Sequence, residues 1–154
     1  LAMSFVPVLL VCAVAAGDVT QFGAVGDGVA LNTAAIQSAI DATAARGGGE
    51  ILFPSGTFLT GALYLKSGVH LRLSPGAVIL GSANLADYPL TRCKYPSRSD
   101  SYTLRALIWA EGMNDIAITG PGVIDGQGAR FRDNLATPEE IAEASQPYQH
   151  PLWL

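Results

Sequence analysis

Cysteine is nearly absent from this chain: two in 154 residues, Cys12 and Cys93. Cys12 falls in an apolar leader, which leaves Cys93 alone, so no intramolecular disulfide is available and the fold must hold by packing. Histidine is equally scarce, at two. His70 alternates with apolar residues and is read as facing solvent, and His150 lies in a polar tail beside Pro151. Neither has a partner at metal-ligand spacing, which argues against zinc, and no cofactor site is expected. Charged residues make up only 14% of the chain, with 9 Lys plus Arg against 13 Asp plus Glu, a net charge of −4. With no basic stripe and no aromatic RNA-binding motif, nucleic acid is not expected as a partner. No G-x-S-x-G occurs, so a serine nucleophile on a strained elbow has no support.

Long apolar runs are missing as well. The longest, residues 5–14, is shorter than the ~20 residues a membrane span needs, so no membrane association is expected. Its end overlaps Ala13-Val14-Ala15, an A-x-A cleavage signal before Ala16. Residues 1–15 are therefore read as a secretory signal peptide lacking the usual basic n-region, and the mature protein as secreted, extracellular or periplasmic. Val11 occupies the position where a small residue should precede a lipidated Cys12, which argues against a lipoprotein.

What the chain has is turn residues, 17 Gly and 9 Pro, and they close short apolar runs. Residues 51–53, 62–65, 69–73 and 77–80 are too short for helices, are rich in branched side chains and read as strands. Val69, Leu71 and Leu73 share one face and His70 and Arg72 the other, so this strand is half buried in a fixed register. Residues 113–128 repeat the shape of residues 67–82, with Pro121-Gly122 standing for Pro75-Gly76 between two short strands. Repeated strand-turn-strand units, with no helix long enough for a crossover between them, predict a solenoid of the parallel β-helix kind.

Ahead of the first repeat, Gly23, Gly26 and Gly28 punctuate a loop. Asn32 is placed to cap a helix over residues 33–46 whose stripe is Ile36, Ala39, Ile40 and Thr43, and Gly47 supplies its left-handed stop. This helix is read as a lid on the open end of the solenoid. Gly47-Gly48-Gly49 follows a helix and precedes a strand, the reverse of the order a phosphate cradle requires. Between the repeats, residues 82–104 read as a long solvated loop, with Arg92, Lys94, Arg98 and Arg105 near Tyr88, Tyr95 and Tyr102. Its other reading is a holder for an anionic sugar chain. The tail opens a second helix at Thr137, with Pro138 and Glu140 in capping positions. It ends on Leu152-Trp153-Leu154, as a chain stopped in mid-architecture would.

The carboxylates Asp115 and Asp125 bracket the second repeat. Paired acids are what glycoside hydrolysis needs, yet an Asp before Gly is well placed to accept backbone hydrogen bonds in a turn, and the turn role is expected for Asp125.

Taken together, FGAVGDGVALNTAAIQSAID, GGGEILFPSGTFLTGALYLKSGVHLRLSPGAVILGS and ALIWAEGMNDIAITGPGVIDGQG resemble the N-terminal part of glycoside hydrolase family 28, the polygalacturonases and their relatives. The match covers about residues 19–131. The front block, residues 22–36, is shared with a wider pectin-lyase-like superfamily, and GPGVIDGQG favours the hydrolases. The resemblance implies an all-β, right-handed parallel β-helix with an N-terminal capping helix, residues 16–154 forming the first part of that domain. It also implies a secreted enzyme, monomeric at full length, that hydrolyses α-1,4-galacturonide links in pectic polysaccharide with inversion and without a metal. Its catalytic aspartates stand in N-T-D and D-D motifs, accompanied by G-H-G and R-I-K, and none of the four occurs in this chain. No catalytic, cofactor-binding or metal residue is therefore assigned, and the chain itself is expected to be inactive. Two other readings are a pectate-lyase-like polysaccharide lyase, which would add calcium and a basic residue, and a noncatalytic β-helix module that binds carbohydrate.

Overall fold

The computed structural model describes residues 17–91 and 105–131. The signal-peptide stretch with Cys12, residues 92–104 with Cys93, Arg92, Lys94, Arg98, Tyr95 and Tyr102, and the tail with the expected helix at Thr137 and His150 lie outside the described residues.

Strands of five residues or fewer, each closed by a turn residue, wind rather than fold back. The chain runs β1 (Gly17–Asp18), β2 (Asp27–Leu31), α1 (Thr33–Ala45), β3 (Gly49–Phe53), β4 (Gly56–Thr60), β5 (Leu63–Tyr64), β6 (Val69–Leu73), β7 (Ala77–Gly81), β8 (Ile108–Trp109), β9 (Ala117–Thr119) and β10 (Val123–Asp125). These strands form three sheets ordered β1-β3-β6-β9, β2-β4-β7-β10 and β5-β8, and every pairing is parallel. The chain visits the sheets in turn before it returns to the first. This is the expected parallel β-helix, right-handed as crossovers between parallel strands are.

Because register repeats coil on coil, like stacks on like. Ile51 pairs with Leu71 and Leu71 with Ile118, Phe58 with Ile79 and Ile79 with Ile124, and Leu63 with Ile108. Ile51, Leu71, Ile79 and Leu63 are fully buried. Phe53 and Phe58 meet edge to face at the corner between the first two sheets, centroids 5.6 Å apart, a favourable aromatic geometry. In the last described coil, the inward Ile118 and Ile124 remain 41% and 42% exposed. The second sheet is apolar on its outer face too, where Leu31, Leu59 and Leu80 align across three strands.

The helix buries the expected stripe, Ile36, Ala39, Ile40 and Thr43, and Gly47 leaves it at φ 94°. Its outer side is tied to β5, where the Gln37 amide accepts from Tyr64 N–H at 2.9 Å and donates to Tyr64 C=O at 3.0 Å. Asp41 pairs with Lys66 at 2.8 Å, and the hydrogen bonds from Lys66 and then Gln37 hold the Asp41 carboxyl below its ordinary value.

Several details depart from the sequence reading. Asn32 does not cap the helix: its side chain makes no capping bond. It is buried, at 3% exposure, and closes the preceding loop instead. Its Oδ1 accepts from Val25 N–H at 2.7 Å, and its Nδ2 donates to the Val25 and Ala30 carbonyls at 2.9 and 2.8 Å. That loop is itself part of the first coil, because β1 and β2 pair with β3 and β4. Residues 56–60, not singled out in the sequence, form β4, which is paired on both sides, with β2 and with β7. The repeat is also compressed. The span from Ile118 to Ile124 is two residues shorter than that from Leu71 to Ile79, to which those residues are paired. Glycine makes this possible, since a Cβ on Gly122 would sit 2.5 Å from Leu73 Cβ.

Two outcomes follow from this packing. Leu71→Asp should lower stability by roughly 3 kcal/mol or more, because it buries an unpaired carboxylate. Arg72→Asp, at a position whose side chain is 59% exposed and which loses only a 3.6 Å contact with Glu50, should cost less than about 1 kcal/mol. Thermal melts of both variants check this, and equal losses would mean the strand register is wrong. Asn32→Asp should cost about 2 kcal/mol at neutral pH, since a carboxylate cannot donate to the Val25 and Ala30 carbonyls; an unchanged melt would refute the loop-closing role.

Candidate functional site

The two carboxylates singled out by the sequence are held apart. Asp115 precedes β9 in the first sheet and Asp125 ends β10 in the second. Asp115 adopts φ 54°, and its Oδ1 lies 3.0 Å from His70 Nε2, so His70 is half buried against a partner rather than simply solvated. The same corner is fastened by Asn114, whose N–H donates to Ser67 Oγ at 3.1 Å and whose C=O accepts from Gly68 N–H at 3.0 Å. Asp125 takes the expected turn role, accepting from Gln127 N–H at 2.8 Å. Gln127 in turn donates from Nε2 to Gly81 C=O at 2.6 Å, which pins the turn to the coil above. Both acids are thus engaged in turn and coil-stacking contacts. Among the described residues, no cluster of three or more His, Cys, Asp or Glu could hold a metal.

The structure gathers side chains elsewhere, at the root of the long loop. After β7 the chain makes a 3-10 turn, Leu85–Asp87, capped by Asn84, whose side chain accepts from Ala86 N–H. Ser82 Oγ donates to the Asp87 carboxylate, and Tyr88 OH donates to Ser82 C=O at 2.7 Å. Burial, and then the nearby Asp87 charge, push the Tyr88 phenol above its ordinary value and keep it a donor. Asp87 C=O accepts from Ala62 N–H at 3.1 Å, against Gly61, where any Cβ would collide with that same carbonyl. Tyr88 is therefore 5% exposed. The start of the loop packs onto the coils, and the expectation of a solvated loop fails there because its polar groups find partners in the corner between the second and third sheets.

Arg105 returns the chain to this knot and donates from Nη1 to the carbonyls of Leu85 and Tyr88. Phe131, at the end of the turn Gly128–Phe131, meets Tyr88 edge to face at 6.0 Å and 82°. Between them lies a cleft of about 280 Å³, floored by Leu85, Ala106 and Leu107 and walled by Tyr88 and Phe131. Of the loop's cations and tyrosines, Arg105 and Tyr88 are thus brought together. Phe131 was not legible in the sequence: it follows the last glycine turn with no periodic signal and reaches Tyr88 only through the stacking of coils.

Comparison with known proteins places this geometry. A family model described as rhamnogalacturonase A/epimerase, pectate lyase-like, matches residues 17–85, from the first coil to the start of the long loop. The exo-poly-alpha-D-galacturonosidase of Dickeya chrysanthemi is 45% identical over 119 residues, which cover 72% of this chain and 19% of that protein. Among solved structures, the family 28 exopolygalacturonase of Yersinia enterocolitica superposes with a TM-score of 0.61 at 42% identity, over 71% of this chain and 20% of that one. A putative glycosyl hydrolase from Parabacteroides merdae gives 0.63 at 34% identity, over 82% and 48%. The chain spans about a fifth of the length of the first of these relatives.

Removing the Asp125 carboxylate should act on the turn alone. Asp125→Asn, which keeps an acceptor for Gln127 N–H, should leave stability unchanged. Asp125→Ala should cost about 0.5–1 kcal/mol. Denaturant titration of the two variants checks the assignment, and equal losses would show that the charge rather than the acceptor matters.

Proposed function

The chain belongs to glycoside hydrolase family 28 within the pectin-lyase-like superfamily, and from that premise we propose that the whole protein hydrolyses pectic polysaccharide. Its bond is the α-1,4-galacturonide link, cleaved with inversion, and its place of action is outside the cytoplasm. The observation that carries this reading is the 45% identity to an exo-poly-alpha-D-galacturonosidase over 119 residues, which cover 72% of this chain.

The chemistry sets the division of labour. An inverting hydrolase needs a general acid and a general base on opposite faces of the sugar, their carboxyls about 6.5–9.5 Å apart with a water between. Asp115 and Asp125 stand on different sheets and are occupied by His70 and Gln127, and the N-T-D, D-D, G-H-G and R-I-K motifs of the family are absent from these 154 residues. In this proposal the acid and base belong to other coils of the whole protein. The present residues supply the capped end on which those coils stack. That end is a seed for register: once Leu71 is paired with Ile118, the inward face of each later coil is set.

Reducing-sugar release from polygalacturonate tests the proposal. The whole protein should turn over with and without Asp125→Asn, and the 154-residue chain should release nothing. An inactive whole protein would refute the hydrolase reading, and unsaturated products in the presence of calcium would replace it with a lyase. Turnover by the 154-residue chain that is abolished by Asp125→Asn would make Asp125 catalytic.

A further inference from the structure

Methionine is rare in this chain: Met3 falls in the stretch read as a leader, and Met113 is the other. Met113 stands on the corner between β8 and β9, stacked on the corner between β5 and β6, because β5 pairs with β8 and β6 with β9. It is 41% exposed, yet its sulfur is engaged: Ser67 Oγ, from the coil before, donates to Sδ at 3.5 Å. The same oxygen accepts from Asn114 N–H at 3.1 Å. One hydroxyl therefore joins the thioether, a weak acceptor, to the backbone contact that holds the two corners together. The corner's further ties are Gly68 N–H to Asn114 C=O at 3.0 Å and His70 to Asp115. Asp115 sits at φ 54°, a backbone state that a residue with a side chain holds only at a cost, so the contacts around Met113 keep a strained residue in place.

We propose that Met113 is a site of reversible oxidation by peroxide, and that the oxidised side chain loosens the contact between these two coils. The chemistry needs hydrogen peroxide or an alkyl hydroperoxide and nothing else. A sulfur lone pair attacks the outer peroxide oxygen, the S–O bond forms as the O–O bond breaks, and the proton of the transferred oxygen passes to the departing hydroxide or alkoxide, giving sulfoxide and water or alcohol. Sulfur loses two electrons and the peroxide gains them. The Ser67 hydroxyl occupies one of the two sulfur lone pairs, so an oxidant arriving from solvent takes the other. Two consequences follow. The product is chiral, and one sulfoxide epimer should prevail. Its oxygen points away from Ser67 while the sulfur loses its basicity, so the Ser67 hydroxyl must seek another acceptor and its alignment with Asn114 N–H is lost. A thiol-dependent methionine sulfoxide reductase of the class that takes that epimer would return the thioether. None of this depends on the hydrolase reading.

The test treats the 154-residue chain, its two cysteines alkylated beforehand, with hydrogen peroxide and reads three quantities. Mass spectrometry of the peptide that holds Met113 should show one added oxygen, and chromatography should separate the two sulfoxide epimers with one in at least fivefold excess. Amide spectra should show residues 67, 68 and 114 displaced while those of residues 36–43 in the capping helix stay in place, and the matching reductase should restore the first set. Ser67→Ala, which frees the second face of the sulfur, should cut the epimer excess to less than twofold, and Ser67→Thr, which keeps the hydroxyl, should retain it. Met113→Leu should leave the amides of residues 67, 68 and 114 indifferent to peroxide. Oxidation of Met3 with Met113 untouched, equal epimers in the unaltered chain, corner amides unmoved by the sulfoxide, or a full epimer excess in Ser67→Ala would each overturn the proposal. An exposed methionine that merely suffers damage would give none of the dependence on Ser67.

Discussion

The structure depends on one constraint: each inward side chain must lie on its equivalent in the coil before it. Parallel pairing places Ile51, Leu71 and Ile118 in one row and Phe58, Ile79 and Ile124 in another. The core is therefore a set of one-dimensional stacks rather than a single three-dimensional cluster. A slip of one residue would turn each row out to solvent, which is why the corners are so closely defined. Gly48 shows how tight they are. It sits at φ 102°, and a Cβ there would come within 2.6 Å of the Gly68 carbonyl one coil on.

A stack must begin somewhere, and here it begins under a helix. Helix α1 covers the inward rows at the first coil with Ile36, Ala39 and Ile40. Gln37 meets the backbone polar groups of Tyr64 as a neighbouring strand would. The same amide chemistry recurs at Asn32, which satisfies a loop that has no strand beside it. Carboxamides serve these positions because they donate and accept at once.

Where a coil lengthens, it must still close on its neighbours. The long excursion between β7 and β8 does so through a short polar knot, Ser82, Asp87, Tyr88 and Arg105, whose partners are mostly backbone carbonyls. Anchoring of this kind leaves a concave surface beside a flat sheet. Regular coils offer ladders, and excursions offer clefts, so binding chemistry in this architecture collects where the repeat is interrupted.

The strands at residues 69–73 and 123–125, the inward face of Val69, Leu71 and Leu73, the helix stripe and its glycine stop were all legible in the sequence, because each rests on a period or a turn preference acting over a few residues. The turn role of Asp125 was legible for the same reason. Strands β1, β2 and β4 were not, since glycine-rich, weakly alternating segments become strands only when a neighbouring coil supplies their hydrogen bonds. Nor was the role of Asn32, whose cap position was right while its partners at Val25 and Ala30 were fixed by the loop's path. His70 meeting Asp115 and Tyr88 meeting Phe131 lie beyond any local rule, because the residues are more than forty positions apart. The sequence by itself determined the repeat, its inward face and its family. The tertiary structure alone decided which side chains meet, because the length of each corner and excursion, not the composition of the strands, sets which residues come to lie one coil apart.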